Sequence, residues 1–222
     1  MSPSRIVAEA VRRGLAMIAL TDHNTARNLP AFAEACAAAG IAAVFGLEIT
    51  TVEEVHVLAL YGEPEPAVAL GEQVYALLPD VAIDPERTGD QVVVDSDEMV
   101  IEFLARPLIA ATSLTLEAVG STVRATGGLF IPAHADRGSF SVWSQLGFLP
   151  EGEYDAIELT GIVGRIEPGH HTVVAGSDAH YPGDVGRRFI GFEAERLTFE
   201  ALAVALADGR VTCHGRSGIL PA

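Results

Sequence analysis

Lysine is absent from this 222-residue chain, and all 14 basic side chains are arginines. Schiff-base chemistry and the phosphate-binding P-loop both need a lysine amine, so both are excluded. Cysteine is scarce. Cys36 and Cys213 do not make a disulfide framework, which fits a reducing compartment. Long apolar runs are missing as well. The longest, residues 35–47, falls short of the roughly 18 residues that a membrane helix needs. The opening Met1-Ser-Pro-Ser-Arg has no apolar signal region. The expectation is a soluble cytoplasmic protein with no membrane partner. Positive charge is also in short supply: 14 Lys+Arg against 30 Asp+Glu leave a net charge of -16. Phosphate backbones select basic patches, so this balance argues against a duplex nucleic-acid partner. It does not exclude a small anionic substrate, because a local field can oppose the global one.

Hydrophobic residues are plentiful at 49%, enough for a sizeable core, and the length fits a single domain over residues 1–222. Helices are expected over residues 1–14, 30–39, 64–78, 114–125 and 198–208. Strands are expected over 16–21, 41–51, 55–61, 129–133, 156–159, 172–176, 188–192 and 211–214. Residues 79–113 mix Asp, Pro, Gly and short β-branched runs, and read as an excursion carrying a hairpin. Alternating strands and helices imply an α/β architecture with largely parallel strands, closer to a small or irregular barrel than to an open sheet.

In such barrels the chemistry collects at the C-terminal ends of strands. Here one apolar run ends in Thr21-Asp22-His23-Asn24, another carries Gly46-Leu47-Glu48, and a third leads into His134-Ala135-Asp136-Arg137. A fourth leads into Ser177-Asp178-Ala179-His180. His56 stands near the start of its run, and position alone does not explain it. Imidazole and carboxylate are ligands for hard or borderline divalent metals. Burying so many ionisable groups is costly unless something pairs them, and a metal cluster does. The spacing of Asp178 and His180 puts both side chains on one face of an extended segment.

This ordered set of motifs, with His56-Val57-Leu58 and Pro132-Ala133-His134, resembles the PHP (polymerase and histidinol phosphatase) domain family over nearly the whole chain. The resemblance implies a distorted seven-stranded (β/α) barrel that hydrolyses phosphate esters with two or three divalent metals, zinc, manganese or iron. Carried over residue by residue, it implies that Glu48 bridges two metals and Asp178 binds the first. His56 and His134 then bind the second, and His23 and His180 the third. Asp22 would orient a ligand or hold its turn. The family's opening strand with His-x-His has no counterpart before His23, so the barrel is expected to lack its first strand.

The reaction implied is metal-assisted hydrolysis of a small phosphate ester, the metals lowering the pKa of water towards about 7. Arg137, and the pair Arg187 and Arg188, are candidates to bind phosphate oxygens through their planar forks, or are surface arginines. His180 is a candidate proton donor to the leaving group. His170, His171 and His214 read as structural. Two rival readings remain. One is a non-catalytic domain that binds metal or a phosphorylated ligand. The other is an amidohydrolase-type C–N hydrolase, which the absence of lysine disfavours because that chemistry often recruits a carbamylated lysine. The oligomeric state is left open.

Overall fold

The computed structural model of the chain describes residues 1–161, 165–215 and 218–219. Pro3 occupies the first turn of helix α1 (Pro3–Arg12), where its missing N–H costs nothing, and Ile6, Val7 and Ala10 form its buried face. Strand β1 (Met17–His23) runs two residues past the expected end and takes in Asp22 and His23. Helix α2 (Leu29–Ala39) stops at Gly40, whose φ of 67° is the left-handed conformation that glycine adopts without strain. Then come β2 (Ala42–Thr50), β3 (His56–Tyr61) and α3 (Pro64–Ala76).

The excursion holds a short helical turn α4 (Pro85–Thr88) and the expected hairpin, β4 (Val92–Val94) with β5 (Val100–Phe103). It is followed by α5 (Leu116–Ala125), β6 (Leu129–Pro132), α6 (Val142–Leu146), β7 (Ile157–Glu158) and β8 (Val173–Val174). The chain then forms β9 (Arg188–Gly191), α7 (Phe199–Ala207), β10 (Thr212–Gly215) and β11 (Gly218–Ile219). No helix of the described residues is long and apolar enough to cross a membrane.

The main sheet has the order β1-β2-β3-β6. Only β1 and β2 pair in parallel; β3 runs antiparallel to both β2 and β6. This corrects the expectation of largely parallel strands. Hydrogen bonds from Asp155 N to Phe130 O and from Ala135 N to Glu158 O lay β7 beside β6, and β8 pairs in parallel with β7. The result is a curled mixed α/β sheet, and among the described residues it does not close into a barrel. Side chains alternate across the strands. Phe45, Leu47, Val57, Ala59, Tyr61 and Phe130 pack outward with α1, α2, α3 and α5. Val44, Leu60, Leu129 and Ile131 point to the inner side, where α7 lays Leu202 and Leu206 against them.

A cavity of about 670 Å³ opens on that inner side. Every residue from Gly14 to His23 lines it on one flank, and Val174 to His180 and Arg188 to Phe192 line it elsewhere. Lining by consecutive residues means that the cavity runs along a strand edge as well as a strand face.

Close backbone approach in the sheet depends on Gly46. A Cβ there would stand 2.4 Å from the carbonyl oxygen of Ala59 and 2.8 Å from a Leu60 methyl. Forcing β2 and β3 apart is an overpacking cost. Gly46→Ala is therefore expected to destabilise the chain by about 1–3 kcal/mol, read as a lower midpoint in urea with an unchanged slope.

Candidate metal centre

The reversal of β3 explains His56. In an antiparallel pair the start of one strand lies beside the end of the other, and here Thr50 pairs with His56 and Glu48 with Leu58. In the parallel pair, His23 is the register partner of Glu48. On the far side of β3, Val57 pairs with Pro132, and Ala133 N donates to His56 O. One edge of the sheet thus collects the ends of β1, β2 and β6 and the beginning of β3. The period of two points Glu48 and His56 to the inner face.

There the carboxylate of Glu48, 6% exposed, sits among imidazoles. His56 Nδ1 is 2.6 Å from Glu48 Oε1, His134 Nε2 is 3.1 Å from the same oxygen, and His23 Nδ1 is 3.9 Å from Oε2. His23, Glu48 and His56 offer ligand atoms that all lie within 4.8 Å of one another. His56 and His134 are 3% and 2% exposed, so this is an interior group of charges rather than a surface one. Burial by itself would push the Glu48 carboxyl up. The imidazoles of His134 and His56 close against its oxygens, with the charges of His23 and His56, outweigh it and hold the group below the ordinary carboxylate range. The reverse balance governs His23, whose pKa burial lowers despite Glu48.

The imidazoles are incompletely satisfied. Among the described residues, both ring nitrogens of His56, Nδ1 of His23 and Nδ1 of His134 are buried without a hydrogen-bond partner, the short approach of His56 to Glu48 being out of line for one. Buried polar atoms are rarely left this way. Nitrogen lone pairs converging on a carboxylate are the donor set of a borderline divalent cation, which would take up the two orphaned nitrogens that face Glu48, Nδ1 of His23 and Nδ1 of His56. The residues present therefore fit a metal.

Three backbones at this edge are strained. Asn24, His134 and Asp178 have φ of 51°, 33° and 44°, all in the left-handed region. Asn24 is fully buried, and its side-chain amide ties the end of β2 to residues 108–110. Nδ2 donates to Leu108 O and Ala110 O, and Oδ1 accepts from Thr50 N. Asp22 holds its turn: its Oδ2 accepts from Asn28 Nδ2 at 2.9 Å, and burial raises its carboxyl pKa. Phe140 stacks on His56 with ring centroids 4.9 Å apart and fixes the ring plane.

Asp178 and His180 lie on the rim of the same cavity. Asp178 Oδ2 accepts from Arg137 Nη1 at 2.6 Å, and its Oδ1 is 3.6 Å from His180 Nδ1. The His180 and His23 rings are 5.9 Å apart. Arg187 donates from Nε to Ser177 O, and Arg188 donates to Gly176 O and Thr160 O. These two arginines tie down the loop that carries Asp178. With Arg137 they also line a separate hollow of about 540 Å³ that includes Asp178 and Asp184. His170 and His171 pack on each other and His171 on Tyr154, while His214 stacks on Phe189.

Glu158 escaped the sequence reading. It is 5% exposed, lines the cavity, and accepts from His134 N through Oε2 at 2.8 Å. Its signal was an acidic residue inside the apolar run Ala156-Ile157-Glu158-Leu159.

A curled α/β sheet with histidines and a glutamate gathered at one strand edge defines the class of protein. The particular family follows from sequence. The model of the PHP domain matches residues 1–114, and that of the PHP-associated segment matches residues 170–211. The chain belongs to the PHP domain family.

Solved structures share its fold. A lesion-specific endonuclease of Pyrococcus furiosus superposes with a TM-score of 0.69 at 18% identity, over 97% of this chain and 54% of that one. Endonuclease Q in complex with a 27-mer duplex bearing an abasic lesion at its active site gives 0.60 at 19% identity, over 92% and 51%. A protein of Bifidobacterium adolescentis named a putative metal-dependent phosphoesterase gives 0.54 at 18% identity, over 94% and 91%.

Among curated proteins, a 6,7-dimethyl-8-ribityllumazine synthase of Methylobacterium radiotolerans is 31% identical over 61% of this chain and 78% of its own length. The match to that of Methylorubrum extorquens strain PA1 is 32% identical and spans 66% of that protein's length. The two kinds of likeness disagree. The family assignment rests on the PHP domain model, which matches residues 1–114 and so includes Glu48 with His23 and His56. The exclusion of a duplex partner must be corrected: endonuclease Q, which has this fold, holds a DNA duplex at its active site. Net charge describes the whole surface, whereas binding is decided by the local field at the site.

If the orphaned nitrogens answer to a metal, binding stabilises the folded chain. At about 100 times Kd, zinc or manganese should add about 2.7 kcal/mol, seen as a rise in melting temperature. His56→Ala is expected to abolish that rise, and an unchanged metal response in the variant would refute the site.

Proposed function

We propose that this chain is a metal-dependent phosphoric ester hydrolase. The observation that carries the reading is the buried Glu48 carboxylate faced by His23, His56 and His134 with ring nitrogens left unsatisfied. These four residues would hold the metal, and Asp178 and His180 on the cavity rim would hold a further ion. The resemblance implies zinc, manganese or iron. A bound divalent cation supplies Lewis-acid polarisation of a phosphoryl oxygen and lowers the pKa of water.

The remaining work falls to the chain's own side chains. Arg137, Arg187 and Arg188 line a hollow beside Asp178, and planar guanidinium forks suit phosphoryl oxygens. Arg137 pairs with Asp178 at 2.6 Å while its Nε donates to Ser139 O, and Arg187 pairs with Asp184 at 3.5 Å, so a phosphate in the hollow would compete with these carboxylates for the forks. In place of holding that further ion, a protonated His180, half exposed at the rim, would give a proton to a departing alkoxide. Leu47 and Ile49, the neighbours of Glu48 in β2, are fully buried in the core on the opposite face of the sheet.

The proposed substrate is a small phosphate ester. The cavity along the outer edge of β1 would accept one more strand, and such a strand would bring the sheet closer to the barrel that the resemblance implies. A second reading, metal binding without turnover, is favoured by the Arg137–Asp178 ion pair, which occupies an expected ligand.

The test is hydrolysis of a chromogenic phosphate ester and of an abasic-site duplex, with chelator and with added zinc or manganese. Turnover that chelator removes and metal restores is expected with the small ester. Arg137→Ala should lower kcat/KM by about 10²-fold, and Arg137→Lys should not restore it, because an ammonium lacks the fork. Bound metal with no turnover of either substrate would favour the second reading.

A further inference from the structure

Glu158 is a buried acid on β7 that the proposed reaction does not use, and its bonding is unusual for a side chain inside a sheet. Through Oε2 it accepts the backbone N–H of His134 at 2.8 Å, and through its own carbonyl it accepts the N–H of Ala135 at 2.7 Å. Two consecutive amides of the turn after β6 are therefore held by one residue. The turn needs holding, because His134 adopts a φ of 33°. An L-residue in that region carries a strain of order 1–3 kcal/mol and stays there only when its surroundings over-determine it. Asp136 Oδ1 accepts from Thr160 N two residues further along, so the segment from Glu158 to Thr160 grips the turn at three points.

The other oxygen of Glu158 reaches towards the second loop of the site. A Cβ at position 176 would stand 2.2 Å from Oε1, so the carboxylate fits only because residue 176 is glycine. Gly176 precedes the strained Asp178 by two residues. The glutamate is thus wedged between the turn carrying His134 and the loop carrying Asp178.

We propose that Glu158 is a positioning residue: its carboxylate fixes the His134 backbone in the left-handed conformation that directs the imidazole onto Glu48. This rests on the reading of Glu48, His56 and His134 as metal ligands. The function assigned is orientation by an accepted hydrogen bond. A ligand role for Glu158 would need its negative charge, and orientation needs only an acceptor of the same length. Glutamine keeps one carbonyl acceptor and the shape; alanine keeps neither.

Two measurements on the full chain separate the possibilities. The first needs no metal: hydrogen exchange of the His134 amide. Protection is expected in the wild type and in Glu158→Gln, and loss of at least 10-fold in Glu158→Ala, with circular dichroism confirming that each variant is folded. Equal protection in all three overturns the proposal. The second is zinc affinity by competition with a chelating dye. Glu158→Ala should weaken it by roughly 10- to 100-fold, as loss of a group that orients a metal ligand does, and Glu158→Gln should stay within about threefold of the wild type. A glutamine variant as weak as alanine, with its amide still protected, would make Glu158 a ligand and overturn the positioning role. Gly176→Ala should displace the carboxylate and weaken zinc to a similar degree even if Glu158→Ala folds poorly; unchanged affinity there overturns the proposal. A wild type that binds no zinc while the His134 amide still depends on Glu158 would remove the metal reading and leave the positioning intact.

Discussion

Everything about this site turns on one buried carboxylate. Glu48 lies inside the sheet, where a lone negative charge would be expelled or neutralised. It stays because three imidazoles face it, and those imidazoles come from three other strands or strand ends. The cost of burying the acid and the cost of burying the histidines offset each other only at this geometry. The curl of the sheet, the reversal of β3 and the strained turns after β1 and β6 all serve to bring the partners to it.

Local elements were readable from residue types. Apolar runs in residues 41–51 and 55–61, with Glu53-Glu54 between them, marked two strands, Pro3 and Gly14 bracketed the first helix, and the Asp-, Pro- and Gly-rich stretch marked the excursion with its hairpin. Alternation reports which face a side chain takes. It does not report which way the neighbouring strand runs. His56 consequently had no explanation as a strand-end residue until β3 was seen antiparallel to β2. Glu158 was opaque for a related reason. Its partner is a backbone N–H 24 residues away, and backbone amides leave no mark in a sequence.

The arginines show how a site is assembled from groups with two loyalties. Arg187 and Arg188 bond to carbonyls of residues 160, 176 and 177, and so shape the loop that presents Asp178. Arg137 bonds to Asp178 itself. Three arginines share one hollow with Asp178 and Asp184 in a chain with a charge of -16, so the local balance of charge differs from the global one. That contrast is why composition misjudged the range of phosphorylated partners open to the fold.

The short turn between β2 and β3 has a consequence for how cheaply the centre is assembled. Glu48 and His56 are separated by 56 − 48 = 8 positions, whereas His134 lies 86 positions beyond Glu48. For flexible chains, closure entropy rises as the logarithm of loop length, so joining His134 to the glutamate costs about 2 kcal/mol more than joining His56. The hairpin is the inexpensive half of the centre. The half reached through β6 and β7 carries the entropic burden, and it is there that the chain has placed a clamp of backbone and carboxylate bonds.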